Sequence, residues 1–388
     1  MNRFKELLKL IIIGIAIGIA MYILGISFIF IFNKLIFNLF PFNLILFPVI
    51  AIGILYIQTK FPEVNFNLFN IYKEANEGRQ ISIFILPFQY LSTVLSHFSG
   101  ASTGRSGAAM QMGSSISDNL SRLIKINTNQ KEIVAAGQAA GFGALFGTPF
   151  AAIFLIFTFT RRSITDYIFW YYTIVITLVA SFVTTLLKLP QFKYHLEMNI
   201  LDYNIEDIIT VVVIAIIFLI IGNLYVYSLI NFRKKVNSLF TNNYIKVILL
   251  SLIAVFFLYI LNNGAYMSYG ANLLNDAFFK PTSLNSLDFL MKGIVTILVL
   301  SCGMQGGEIT PLYIIGATLG ATLALIFGLP TALLAALGYV LVFTNATNAY
   351  IAGIFLGVEV FGFAILPPLL ICIVITYLLD IDTNIYTS

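Results

Sequence analysis

Gly100-Ala-Ser-Thr-Gly-Arg-Ser-Gly-Ala-Ala-Met-Gln-Met-Gly113 and Gly303-Met-Gln-Gly-Gly-Glu-Ile-Thr-Pro-Leu-Tyr-Ile-Ile-Gly316 are two versions of one pattern, a glycine-rich polar turn that opens an apolar helix. They lie about 200 residues apart, half the chain. Short, glycine-interrupted segments at matching places of two halves point to a transporter with broken helices. The polar stretch around Lys193 to Asp207 is the join. The pattern therefore predicts an all-α polytopic membrane protein with two inverted repeats, residues 1–195 and 196–388. No soluble regulatory domain is expected, because the chain stops nine residues after its last apolar run.

Composition supports a membrane protein. Of 388 residues, 21 are Lys or Arg and 17 are Asp or Glu, about 10%, while 59% are hydrophobic. Soluble domains carry about 25% charged residues. With a mean hydropathy of +0.95, the chain has too little polar surface to cover a soluble globule. A cytosolic enzyme, a secreted domain, a disordered chain and a nucleic-acid binder are all excluded. The net charge of +4 comes from cations at segment ends, namely Arg3, Lys5 and Lys9, then Arg161 and Arg162, then Arg233, Lys234 and Lys235. Such clusters mark cytoplasmic ends. Cys302, Cys372, His97 and His195 have no metal-ligand or disulfide spacing. No cofactor is expected, and no nucleotide motif is present.

A membrane span needs about 20 apolar residues. Ile11 to Phe32 is the cleanest run and lacks the cleavage site of a signal peptide. Further runs cover Leu44 to Ile57, Ile81 to Leu95, Ile133 to Phe159, Tyr167 to Leu187, Ile208 to Ile230 and Ile245 to Leu261. Phe289 to Cys302, Leu312 to Phe327, Leu333 to Phe343 and Ala349 to Leu379 complete the series. Several are too short for a full span, and glycines interrupt them.

Irregular backbone at membrane depth persists only where it is buried in protein or lines a wet cavity. A helix that starts there presents unpaired N–H groups and the positive end of its dipole, which makes an anion site. Two such starts meeting near the midplane would hold a small anion between them. Helix packing alone would explain the glycines, but not the embedded Arg105, Gln111, Gln305 and Glu308.

Gly104-Arg-Ser-Gly-Ala resembles the Gly-Arg-Glu-Gly-Pro motif of the CLC family of chloride channels and anion/proton antiporters. Gly137-Gln-Ala-Ala-Gly-Phe-Gly-Ala-Leu-Phe-Gly-Thr-Pro-Phe-Ala-Ala152 is similar to the family's following Gly/Ala-rich hairpin. Tyr269-Gly-Ala-Asn-Leu-Leu274 and Leu356-Gly-Val-Glu-Val-Phe-Gly362 also suit it. Gly303-Met-Gln-Gly-Gly-Glu-Ile-Thr-Pro311 resembles the fluoride-exporting branch most closely. The resemblance covers about residues 80–388.

The resemblance implies an anion site in which Gly104, Arg105, Ser106 and Gly107 face Gly307, Ile309 and Thr310, the loops offering backbone N–H groups. Arg105 is expected to brace its loop through backbone carbonyls. Tyr386 matches the family's C-terminal tyrosine, and Asn67 replaces the family's first-half serine, as in the fluoride branch. Glu308 matches a residue of that branch's proton route, with Thr310 beside it as a hydroxyl donor. A membrane-embedded carboxylate is by default a functional hypothesis, although Glu308 could instead cap its own helix. Glu359 reads as structural. The implied partners are fluoride or chloride ions, protons, lipid and a second copy of the chain in a homodimer. The implied location is a bacterial plasma membrane.

The chain departs from the family at its gate. The third position of Gly-Arg-Glu-Gly is Ser106, which cannot titrate near pH 7. The internal proton-transfer glutamate is absent as well. Fluoride is favoured over chloride, and transport is either proton-coupled or, with Ser106 at the gate, uncoupled and channel-like. A different class also fits part of the sequence. Gly104-Arg-Ser106-Gly107 spells the nucleophile motif of an intramembrane serine protease, which would need His97 or His195 as its base. A transporter of another solute would want helix C-termini or carboxylates at the break. The protease leaves the paired breaks and Glu308 unexplained, the other transporter does not fit helix N-termini at the break, and no enzymatic activity is expected.

Overall fold

The computed structural model describes residues 2–65, 68–126, 128–196 and 205–380. In the first half, α1 (Asn2–Phe30), α2 (Leu46–Lys60), α3 (Leu68–Asn76) and α4 (Ile85–Phe98) lead to α5 (Ser106–Leu123). α6 (Gln130–Phe146), α7 (Pro149–Phe159) and α8 (Tyr167–Leu186) follow. In the second half, α9 (Ile205–Leu239), α10 (Asn243–Ile260), α11 (Ala271–Phe279) and α12 (Asp288–Ser301) lead to α13 (Ile309–Phe327). α14 (Thr331–Thr347), α15 (Tyr350–Phe361) and α16 (Leu366–Leu379) close the series. No strand occurs among the described residues; the sole bridge joins Gly104 to Gly307.

The halves repeat each other element by element. The starts of α3, α4 and α5 recur 203 residues later as the starts of α11, α12 and α13. α6 and α14 are each 17 residues long and end on left-handed residues, Gly147 and Asn348. Two residues further on, α7 and α15 begin. Gly113 and Gly316 occupy the same place in the two halves. A Cβ on Gly113 would strike the Gly137 carbonyl, and one on Gly316 would strike the Gly338 carbonyl. These contacts press α5 onto α6 and α13 onto α14, as small residues permit in membrane helices.

Cations orient the repeats. α1 and α8 both start at a cationic end, and Tyr172 of α8 donates to Glu6 of α1 across that end. α9, the counterpart of α1, instead ends on Arg233, Lys234 and Lys235. With cationic ends inside, α1 runs outward and α9 inward, so the repeats are inverted. Among the described residues, six helices are long and apolar enough to cross a membrane. One of them, α13, has 83% of its span buried inside the protein, against 28% for α10. α13 is thus a central helix, whereas α10 lies at the periphery of the chain.

Two details differ from the sequence expectation. Ile133 to Phe159 is not one run, because Gly147-Thr148-Pro149 breaks it into α6 and α7; Pro149 fits the first helical position, where no N–H is needed. α5 is a polar helix, yet nearly all of it is buried. Three of its serines bond within the helix, Ser114 donating to Met110 O, Ser117 to Ser114 O and Ser121 to Asp118 O. The buried Asp118 accepts from Ile81 N at 2.8 Å and Arg122 Nε at 3.1 Å.

Candidate functional site

The loops before α5 and α13 meet back to back. Gly104 N–H donates to Gly307 O at 2.7 Å, and Gly307 N–H donates to Gly104 O at 2.9 Å. Thr103 Oγ1 adds a bond to Gln305 O at 3.3 Å. Only glycine allows this approach: a Cβ on Gly107 would lie 2.6 Å from Gly306 O, and one on Gly104 2.7 Å from Gly307 O. Gly306 has φ +155°, in the region that favours glycine.

The pairing decides which backbone donors are free. The N–H groups of Gly104 and Gly307 are spent on each other. The first turns of α5 and α13 still project N–H groups with no acceptor inside their own helices, those of Ser106, Gly107, Ile309 and Thr310 among them. Side-chain hydroxyls converge there too. Ser106 Oγ packs against Gly307, and Thr310 Oγ1 packs against Gly104. Both hydroxyls are buried without a hydrogen-bond partner.

Arg105 sits at the head of α5 and is buried, 9% exposed. Its guanidinium carbon lies 5.1 Å from the Tyr269 ring centre, 5.4 Å from that of Phe146 and 5.9 Å from that of Phe28. The expected brace through backbone carbonyls is replaced by these cation–π contacts, and Nε has no hydrogen-bond partner. The aromatic seat exists because α1, the α6–α7 turn and the Tyr269 turn converge on the head of α5. Arg105 and Thr310 line a cavity of about 270 Å³ together with Thr148, Gln191, Tyr269 and Tyr339. Ile29 and Asn33 at the far end of α1 also line it, so it lies on the external side.

Glu308 precedes α13 and makes no side-chain bond to cap that helix. It turns to the cytoplasmic end of α9, where Arg233 Nη2 lies 3.3 Å from Glu308 Oε1. Glu359 is a cap, though of a helix in the other repeat: its two carboxylate oxygens accept from Phe150 N and Ala151 N of α7, each at 2.9 Å. Asn67 and Tyr386 lie outside the described residues.

A family model for voltage gated chloride channels matches residues 54–380. The chain belongs to this family, the CLC proteins. A chloride/fluoride channel protein of Pseudomonas syringae pv. tomato is 30% identical over 345 residues, covering 87% of this chain and 75% of the relative. A CLC-type fluoride/proton antiporter superposes with a TM-score of 0.90 at 30% identity, covering 98% of this CLC chain and 96% of the other. A slow cyanobacterial Cl⁻/H⁺ antiporter, 19% identical with a TM-score of 0.84 over 99% of this chain and 96% of its own, shares the fold.

The protease arrangement is not built in this CLC chain. His97 Nδ1 pairs with Thr93 O at 3.0 Å, its ring packs 4.6 Å from that of Phe28, and Ser106 Oγ has no hydrogen-bond partner. His195 is exposed in the segment between the repeats. Sequence reasoning missed Arg233 as the partner of Glu308, because a cation cluster at a helix end reads as topology. It also missed Lys292, although a lysine inside the apolar run of α12 is itself a signal.

Proposed function

We propose that this integral membrane protein moves small anions, fluoride in preference to chloride, along a pathway between the N-termini of α5 and α13. The observation that carries the reading is the Gly104–Gly307 pair, which fixes two helix N-termini face to face with the buried hydroxyls of Ser106 and Thr310 unsatisfied. Fluoride holds water tightly, so its site must replace that water with strong donors. Ser106, Thr310 and the first-turn N–H groups of both helices are such donors, joined in this proposal by Asn67 and Tyr386. Gly104 and Gly307 act as the clamp, and Arg105 supplies positive potential from the external cavity. The name of the fluoride/proton antiporter supports fluoride, and that of the Pseudomonas relative covers chloride and fluoride alike.

Flux is uncoupled in this proposal. Ser106 stands where the family's gating carboxylate would compete with the anion when ionised and carry a proton when neutral; a hydroxyl does neither. Glu308, held by Arg233 at the cytoplasmic mouth, is the titratable group left on the family's proton route. We place the join of the repeats at residues 195 and 196, and expect a homodimer with one pathway per subunit in a bacterial plasma membrane. The test is efflux from proteoliposomes loaded with potassium fluoride or potassium chloride, with valinomycin present. Faster fluoride loss is expected; chloride loss that equals or exceeds it refutes the fluoride preference.

A further inference from the structure

Lys292, in the apolar run of α12, is fully buried. Among the described residues no carboxylate pairs with it. Asp288, one turn earlier, is occupied by Tyr266 Oη at 2.6 Å and Asn285 N at 2.9 Å. Lys292 Nζ instead lies 2.9 Å from Ser102 Oγ, 3.0 Å from Tyr266 O and 2.9 Å from Ser268 O.

The hydrogen-bond partners around Nζ are those of an ammonium. Thr296 Oγ1 donates its one proton to Lys292 O at 2.7 Å. Ser102 Oγ, 3.0 Å from Thr296 Oγ1, must therefore be the donor between those hydroxyls. With its proton spent, Ser102 can only accept from Lys292, and the two carbonyls can only accept as well. Three acceptors around Nζ match the three N–H donors of an ammonium, one more than a neutral amine has. The arrangement suits a charged Lys292 inside the protein.

Its position gives that charge a use. Gly270, left-handed at φ +85°, packs against Lys292: a Cβ there would lie 3.3 Å from Nζ and 3.0 Å from Ile314 Cδ1. Tyr269, Ala271 and Ile314 line that cavity. Ser102 lies two residues before Gly104 of the bridge. The fold does not demand a charge at this place: 203 residues earlier the matching position of α4 is Gln89, buried and bonded to Gln111 at 2.8 Å.

We infer that Lys292 is an electrostatic residue of the anion pathway, its missing counter-charge being supplied by the permeating anion. A buried cation without a counter-ion is costly, and in a low-dielectric wall it acts beyond contact range. This rests on the anion-transport reading above.

The test measures initial fluoride efflux against internal fluoride concentration, with the full chain in proteoliposomes. Lys292→Met is expected to raise the half-saturating concentration about tenfold, with Lys292→Arg returning it towards wild type. A lysine that only holds loops together would lower the maximal rate and leave half-saturation unmoved. Should Lys292→Met not fold, Ser102→Asp places a carboxylate against the ammonium, and Ser102→Asn is its neutral control. The aspartate variant is expected to raise half-saturation well above the asparagine variant. Unchanged half-saturation in folded Lys292→Met, or equal values for the two Ser102 variants, overturns the inference while the transport reading stands. A wild-type chain that moves neither fluoride nor chloride overturns both.

Discussion

Gly104 and Gly307 exchange both of their backbone hydrogen bonds, at 2.7 and 2.9 Å, across the two repeats. One residue pair thus fixes the separation of two helix N-termini, and each glycine has the other repeat's hydroxyl packed against it, Thr310 on Gly104 and Ser106 on Gly307.

Substituting either glycine of the clamp should disable the pathway. In Gly104→Ala the new methyl would lie 2.7 Å from Gly307 O and 2.8 Å from Thr310 Oγ1, so backbone must move. Overpacking of this kind costs about 1–3 kcal/mol. The expected result is a lower thermal midpoint in detergent and a fluoride efflux rate reduced by about tenfold or more, since reacting geometry at the ion shifts with the clamp. Gly53→Ala, where a Cβ meets nothing, should leave both unchanged.

The two-repeat fold was legible because its markers are local. Glycines at 100, 104 and 113 return at 303, 307 and 316, and hydropathy exposes the outer helices such as α1 and α10. Hydropathy could not find α5: Ser114, Ser117 and Ser121 bond to carbonyls of their own helix and Gly113 packs on α6, so a polar sequence is buried by protein. Hydropathy alone runs through the break at Thr148, because one left-handed glycine and a proline change direction without changing hydrophobicity; the resemblance of Gly137 to Ala152 to a hairpin is what marks it. For the site, glycine spacing located the two helix starts. The aromatic seat of Arg105 and the reach of Arg233 to Glu308 are tertiary, joining residues from helices far apart in sequence.

Restoring a carboxylate at the gate should make flux depend on pH. In Ser106→Glu an ionised side chain at the α5 N-terminus competes with the anion, whereas a protonated one does not. Efflux should therefore be slower than wild type at pH 7 and should rise as pH falls through the carboxylate range of about 4 to 5. Measuring efflux at both pH values checks this; a pH-independent Ser106→Glu rate would remove Ser106 from the pathway.

Glu359 should matter for stability and not for selectivity. Its carboxylate closes two N–H groups at the head of α7. Losing such a charged cap costs about 1–2 kcal/mol, so Glu359→Ala should lower the thermal midpoint more than Glu359→Gln, which keeps one acceptor oxygen. The fluoride-to-chloride efflux ratio should not change in either variant.

The Glu308–Arg233 pair should be energetically weak. The Arg233 side chain is 39% exposed and that of Glu308 18%, and solvent-screened pairs contribute about 1 kcal/mol or less. A double-mutant cycle of Glu308→Gln and Arg233→Gln by thermal unfolding should give a coupling energy in that range. A coupling of several kcal/mol would mean that the pair is shielded from solvent.

The most direct test of uncoupled anion flux is proton movement during fluoride efflux. Wild-type proteoliposomes are given an outward fluoride gradient, the voltage is clamped with potassium and valinomycin, and external pH and fluoride are recorded together. The account predicts rapid fluoride loss with no uphill proton movement. Protons driven uphill in fixed proportion to fluoride would contradict it and would make Glu308 the carrier of a coupled exchange.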